Sequence, residues 1–284
     1  GVITNEVLLA VPLFVFMGVM LERAGIAEDL LETMGRLFGP LRGGLGISAV
    51  IVGTLLAAAK GVVGATTVTL GLIMLPTMLR FGYDRRLAAG TVAATSTLAQ
   101  IFPPATVLIL LGDQLGNSYQ AAQLAKGIFA PRALTVSDLF AGALVPGFAL
   151  VALYLLFLIA VAFIRPEASP ALPRDANGAK GFAFAGRLIA ALVAPLALIA
   201  AVLGSILGGV ATPTEAGSIG AVGAVLLAAR KGALGAALKP VVEKTTQIVG
   251  LIFLILIGAT AFSLVFRALG GDVMVERALT HLPG

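Results

Sequence analysis

The residues that could do chemistry in this sequence fall in three short stretches. In Leu55–Pro76, LLAAAKGVVGATTVTLGLIMLP, Lys60, Gly61 and Gly64 stand ahead of Thr66, Thr67 and Thr69, between two apolar arms. In Thr95–Pro104, TSTLAQIFPP, the hydroxyls of Thr95, Ser96 and Thr97 and the amide of Gln100 run into Pro103 and Pro104. Those prolines carry no N–H, so upstream carbonyls lose their helical partners. Carbonyl and hydroxyl oxygens together make a hard-oxygen site suited to Na⁺, and helix N-termini at such breaks suit a carboxylate. The competing reading is a pair of kinked helices whose Ser and Thr side chains bond back to carbonyls one turn earlier. The third stretch, ATPTEAG, puts Thr212 at an N-cap, Pro213 at N1, Thr214 after it and Glu215 at N3. That is the pattern of a capping box that starts a helix. Handling of an ion or substrate there is the second reading.

Composition says what surrounds these stretches. Of 284 residues, 59% are hydrophobic and 12% charged, against about 25% charged in a soluble domain. So few polar side chains cannot cover a water-facing surface, and the expected fold is an all-α polytopic membrane protein in a lipid bilayer. There is no cysteine, no tryptophan and one histidine. Disulfides, thiolate metal sites and cysteine nucleophiles are excluded. A serine–histidine–carboxylate triad would have to use His281, next to the end of the sequence, and no embedded aspartate pair or His/Glu metal cluster is visible. No enzymatic activity and no cofactor are expected. The net charge of +5 does not read as nucleic-acid binding, because its distribution follows membrane topology.

The elements that must position these residues follow from hydropathy. Val7–Leu21, Leu139–Ile164, Leu188–Leu207, Ser218–Ala229 and Gln247–Phe266 read as spans or parts of spans, and Ala27–Arg42 as an amphipathic interfacial helix or intracellular arm. Leu45–Leu79 is expected to enter the membrane and return to the same face. Each arm of about 15 residues reaches only roughly 22 Å, marginal for a full crossing. Re-entry and two short spans both satisfy the charges; shortness and the glycine tip favour re-entry. Leu87–Leu111 is expected to be a broken helix, Asp113–Ser137 a loop, and Arg165–Gly181 a linker.

On that map fourteen of the Lys and Arg residues fall on one face, in residues 23–42, 80–86, 165–187 and 230–244, and four on the other, Lys126, Arg132, Arg267 and Arg277. The first face is then cytoplasmic. An internal echo accompanies this: Leu13–Glu32 is similar to Ile252–Glu276, with Gly18 on Gly258, and Arg23 on Arg267 after about one inserted helical turn. The copies run in opposite directions, as in transporters built from inverted repeats. The expected organisation is a first repeat over 1–164, with hairpin 45–79 and broken helix 87–111, a cytoplasmic linker over 165–186, and the start of a second repeat over 187–284. The first residues, GVITNEVLLAVPLF, are not expected to form a signal peptide, and both ends read as cuts in a longer chain.

The stretches PLFVFMGVMLERAGIAEDL, GATTVTLGLIMLPTMLRFGYDRRLAAGT, TLAQIFPP, GSILGGVATPTEAGSIGAVGA and VFRALGGDVMVERAL resemble, in order and over nearly the whole chain, the large membrane subunit of TRAP (tripartite ATP-independent periplasmic) transporters, C4-dicarboxylate type. The resemblance implies a sodium-coupled elevator in the bacterial inner membrane, importing a small organic acid. It also implies two partners, a small four-helix membrane subunit and a periplasmic substrate-binding protein. By position it implies a first sodium site, built largely from backbone carbonyls, at Lys60, Gly61, Val63, Gly64, Thr66 and Thr67 of the hairpin tip and at Thr95, Ser96, Ala99, Phe102, Pro103 and Pro104 of the break. Family members usually carry Ser or Thr where Lys60 stands, serines at Val62 and Val63, glycines at Ser96 and Ala99, and serine at Ala105. An ammonium 4 Å from a sodium ion repels it by roughly 4 kcal/mol at an effective dielectric of 20, so either Lys60 points away or coupling is altered. The second hairpin and second ion site are expected beyond residue 284. The alternative function is an elevator-type ion-coupled carrier of organic anions that works without a binding protein.

Overall fold

The computed structural model describes residues 6–60, 63–172 and 182–280, with the side chains of residues 6, 27, 57–60, 65, 182–192, 276 and 279 excepted. Among the described residues every regular element is helical: α1 (Ala10–Arg23), α2 (Ile26–Phe38), α3 (Gly44–Lys60), α4 (Val63–Arg80), α5 (Arg85–Thr97), α6 (Thr106–Ala125), α7 (Val136–Ile164), α8 (Phe182–Leu207), α9 (Pro213–Arg230), α10 (Leu234–Ala268) and α11 (Gly271–Thr280). Helices satisfy their own backbone groups, which is what an apolar chain requires when its surroundings offer no hydrogen bonds. By length and composition α7 and α10 can each cross a membrane, and α1 with α2 would add a third if that bent pair is one span. Both long helices are exposed along most of their apolar length. This is an all-helical membrane protein.

α1 is the central helix, buried from Ala10 to Leu21 on most of its circumference. It packs on α9, where Ala216, Gly220, Ala224 and Ala228 recur every fourth residue and are all buried. A stripe of small residues lets two backbones approach closely, the usual route to helix association where burying apolar surface gives little advantage over lipid. The approach is tight at Gly220, where an added Cβ would lie 2.5 Å from Met17 Sδ and 3.1 Å from Val202 Cγ2. At the far end of α1, Gly25 turns the chain into α2 with φ of 68°. Lys231, just past α9, donates to the Gly25 carbonyl at 2.9 Å and to Asp29 Oδ2 at 2.6 Å. α2 buries Leu30, Leu31 and Met34 and turns Glu28, Asp29, Glu32 and Arg36 outward. The α10–α11 pair repeats this corner, with Gly270 at φ of 74° and Asp272 in the first turn of α11.

Three boundaries differ from the sequence reading. α8 already begins at Phe182, inside the stretch expected as linker. The polar stretch after Leu111 is not all loop, since α6 continues through Asp113 to Ala125. Gln114, Asn117, Ser118 and Gln120 lie on exposed positions while Ile109, Gly112, Gly116 and Gln123 hold one buried face. Gln123 ends that face by donating to the Arg132 carbonyl and accepting from the Arg132 amide, both at 3.0 Å. The last long helix starts at Leu234 rather than near Gln247, because Lys239, Glu243 and Lys244 are good helix formers that the hydropathy of the span does not register.

Gly220→Val overfills the α1–α9 contact. Met17 can swing aside and Val202 cannot, so a loss of about 1–3 kcal/mol is expected, read as a lower midpoint for thermal unfolding of the detergent-purified protein.

Candidate functional site

α3 and α4 are joined across residues 61–62 and lie against each other, with Gly53 facing Leu70 at equal distances along the chain from the joint. The start of α4 meets the broken segment: Val63 packs on Leu98 and Ala99, together with Leu150, Val151 and Tyr154 of α7. Behind it, α5 presses on α3 at Gly53, where an added Cβ would lie 2.1 Å from Thr95 Cγ2. Glycine at 53 is therefore what admits Thr95 to this position.

The break itself is built by covalent chemistry. Asp84 caps α5, accepting from Arg86 N at 2.9 Å and Leu87 N at 3.0 Å. After Thr97 a 3-10 turn runs from Leu98 to Gln100, and both Ile101 N and Phe102 N donate to the Leu98 carbonyl. Pro103 and Pro104, joined by a cis peptide, offer no N–H to the carbonyls one turn back on Ala99 and Gln100. α6 restarts at Thr106 with an extended Ala105 before it and no side-chain cap on its amides. Phe102 plugs the far side, its ring edge-on to Phe148 with centroids 5.0 Å apart. Gly147 of α7 makes room for it.

Side-chain oxygens in this region divide into two groups. Ser96 Oγ donates to the Val92 carbonyl at 2.7 Å and Thr67 Oγ1 to the Val63 carbonyl at 2.9 Å. Both are back-bonds of the kinked-helix kind, which leave only acceptor lone pairs for a cation. By contrast Thr95 Oγ1, Gln100 Oε1 and Thr106 Oγ1 are buried with no hydrogen-bond partner among the described residues. A buried unpaired polar group costs about 1–3 kcal/mol, and three in one broken segment fit an oxygen-donor site for a cation. Thr66 is fully buried. Gly64 borders open space. Gly61 and the side chain of Lys60 lie outside the described residues. Thr106 escaped the sequence reading, although its place two residues past a proline pair, at a helix start, was a usable signal. Among the described residues no group of three or more His, Asp or Glu side chains gathers as a metal site.

Thr212 and Glu215 sit elsewhere, at the start of α9, and form both arms of a capping box. Thr212 N donates to Glu215 Oε2 at 2.8 Å, and Glu215 N donates to Thr212 Oγ1 at 3.3 Å. Pro213 occupies N1 and the Thr214 carbonyl accepts from Ser218 Oγ at 3.0 Å. Thr135 and Asp138 repeat the device at α7. Both helix starts line a cavity of about 480 Å³ shared with Asp113, Asn117 and Gln120 of α6. Among the described residues its lining carries the carboxylates of Asp113 and Glu215 and no cationic side chain.

Gly53→Ala forces Thr95 away from α3. A midpoint drop worth about 1–3 kcal/mol is expected in thermal unfolding, with uptake by the complete transporter falling further than protein level on a membrane blot.

Comparison with known proteins agrees with this architecture. The model of the tripartite ATP-independent periplasmic transporter, DctM component, matches residues 1–284. A C4-dicarboxylate TRAP transporter large permease protein DctM from Pseudomonas aeruginosa is 32% identical over 215 residues, 76% of this chain and 45% of the relative. Its namesake from Vibrio cholerae is 30% identical, over 76% of this chain and 42% of the relative. The ectoine TRAP transporter large permease protein TeaC of Halomonas elongata is 26% identical, over 78% and 46%. The chain spans a little under half the length of these relatives. It belongs to the DctM-component family of tripartite ATP-independent periplasmic transporters, the large permease subunits.

Proposed function

We propose that this chain is part of the permease subunit of a sodium-coupled secondary transporter, carrying its first repeat and the start of the second. It imports a small organic acid handed over by a periplasmic binding protein, beside a small four-helix membrane subunit in the bacterial inner membrane. The observation that carries the reading is the broken α5–α6 segment, with Thr95, Gln100 and Thr106 oxygens orphaned and Val63 of the hairpin lodged against Leu98 and Ala99. Sodium, treated as a co-transported substrate, takes its ligands from the carbonyls that Pro103 and Pro104 leave unpaired and from these side-chain oxygens. The α3–α4 hairpin is re-entrant from the cytoplasm and moves with α5 as the elevator, while α1, α8, α9 and α10 serve as scaffold. Residues 23–42, 80–86, 165–187 and 230–244 lie in the cytoplasm, as their cationic excess favours. The relatives' names cover C4-dicarboxylates, ectoine and isethionate, so the acid is assigned here only as a class.

The test uses the full-length permease, its small subunit and its binding protein in proteoliposomes, with the acid that the binding protein retains in a ligand screen. An inward sodium gradient should raise uptake about tenfold over an equal potassium gradient, within the usual range of coupling between sites. Equal rates in sodium and potassium overturn the coupling. In the same system Lys60→Ser should lower the half-saturating sodium concentration about tenfold, since removing a nearby ammonium removes Coulomb repulsion. An unchanged value means the ammonium is directed away from the ion.

A further inference from the structure

The sequence reads Arg165–Gly181 as a linker, yet its first residues are held against the base of the α3–α4 hairpin. After α7 ends at Ile164 and a 3-10 turn forms at Pro166–Ala168, two consecutive carbonyls reach in different directions. The Ala168 carbonyl accepts from Asp84 N, just past α4, at 3.0 Å; the Ser169 carbonyl accepts from Gly43 N, just before α3, also at 3.0 Å. Leu172 N then donates to the Gly39 carbonyl at 2.7 Å, and the Leu172 side chain packs on the main core. A direct tie across the same base runs from Leu45 N to Tyr83 Oη at 3.2 Å. Tyr83 is buried, and burial pushes its phenol above the ordinary value, so it stays protonated. Positive φ at Gly43 and Gly82, 76° and 80°, shapes both turns to meet the strap. Pro170 sits against Gly82, and Ser169 is 1% exposed.

We propose that residues 166–172 are a clamp that fixes the spacing of the two bases of the α3–α4 hairpin and thereby positions its tip against the Leu98–Ala99 turn. A two-helix hairpin is held by the chain only at its tip; at the other end its helices are free to splay unless something joins them. Here one short segment joins them through successive carbonyls, anchored by Leu172. The clamp itself stands on the contacts above; its consequence for transport rests on the proposed function.

Cysteine labelling tests the clamp: residues 1–284 contain no cysteine, and any cysteine elsewhere in the full-length transporter is first replaced by serine. Ser169→Cys is a mild change because the Ser169 hydroxyl has no partner among the described residues. In the full-length transporter it should react with a membrane-permeant maleimide about tenfold more slowly than Glu167→Cys, which stands exposed on the same strap. Burial of a Leu anchor holds a segment by an amount that makes its loss visible as local opening. Adding Leu172→Asp should therefore raise Ser169→Cys labelling about tenfold, and lower saturated uptake about fivefold at equal protein level. If the aspartate variant fails to accumulate, Leu172→Ala should move both readouts in the same directions by less. Labelling of Ser169→Cys as fast as Glu167→Cys, or labelling unmoved by the Leu172 changes, overturns the clamp. Exposure of Ser169→Cys with uptake unchanged overturns its positioning role. Should uptake prove indifferent to sodium, the coupling mechanism falls while the labelling still decides the clamp.

Discussion

A backbone carbonyl inside an apolar helix bundle must find a donor or cost several kcal/mol, and Pro103 and Pro104 remove two donors in succession. The 3-10 turn at Leu98–Gln100, the double acceptance at the Leu98 carbonyl and the fresh start of α6 at Thr106 all follow from that loss. Such a break persists only where protein surrounds it. α3, the start of α4 and the middle of α7 supply that surround, through Gly53, Val63, Phe148 and Tyr154. In the same broken segment the Thr95, Gln100 and Thr106 side-chain oxygens are buried without a partner among the described residues, and these are the oxygens to which the proposed cation site is assigned.

Position at this site is set by small residues and by ties at a distance. Gly53 admits Thr95 to α3 and Gly147 admits Phe102 to α7; a methyl group at either place would push the broken segment outward. The corner at Gly25, held by Lys231, fixes α2 to the end of α9, and the strap at 166–172 closes the base of the hairpin. The break is thus gripped from its tip, its flank and its base, while the long apolar faces of α7 and α10 remain exposed. A Thr69–Glu22 hydrogen bond of 2.8 Å joins α4 to α1, a polar tie between the hairpin and the central helix.

Much of this was legible in the sequence because it is local. Paired prolines, a Thr-Pro-Thr-Glu start, an amphipathic Ala27–Arg42 and the order of the family's stretches are written within a few residues of one another. The capping box at Thr212–Glu215 is present in full, which gives Glu215 a structural task. What escaped depends on distant residues. The continuation of α6 past Asp113 rests on contacts of Gly112 and Gly116 with residues 134–136. The clamp rests on carbonyls of Ala168 and Ser169 meeting turns more than eighty residues earlier, and backbone groups leave no trace in side-chain patterns. Thr67 and Ser96, plausible ligands by type, spend their protons on carbonyls one turn back, a choice that composition does not reveal.

The claim on which the rest turns is that orphaned oxygens of the break bind sodium. It is tested most directly by thermal unfolding of the purified full-length permease in sodium chloride against choline chloride, with and without Thr95→Val. A ligand that binds only the folded state stabilises it by about 2.7 kcal/mol at a hundred times its dissociation constant. The expected result is a sodium-specific rise in the midpoint that shrinks in Thr95→Val, while in choline the variant melts no lower than the parent because only an unpaired hydroxyl is lost. A midpoint indifferent to sodium, or an equal rise in both proteins, contradicts the site.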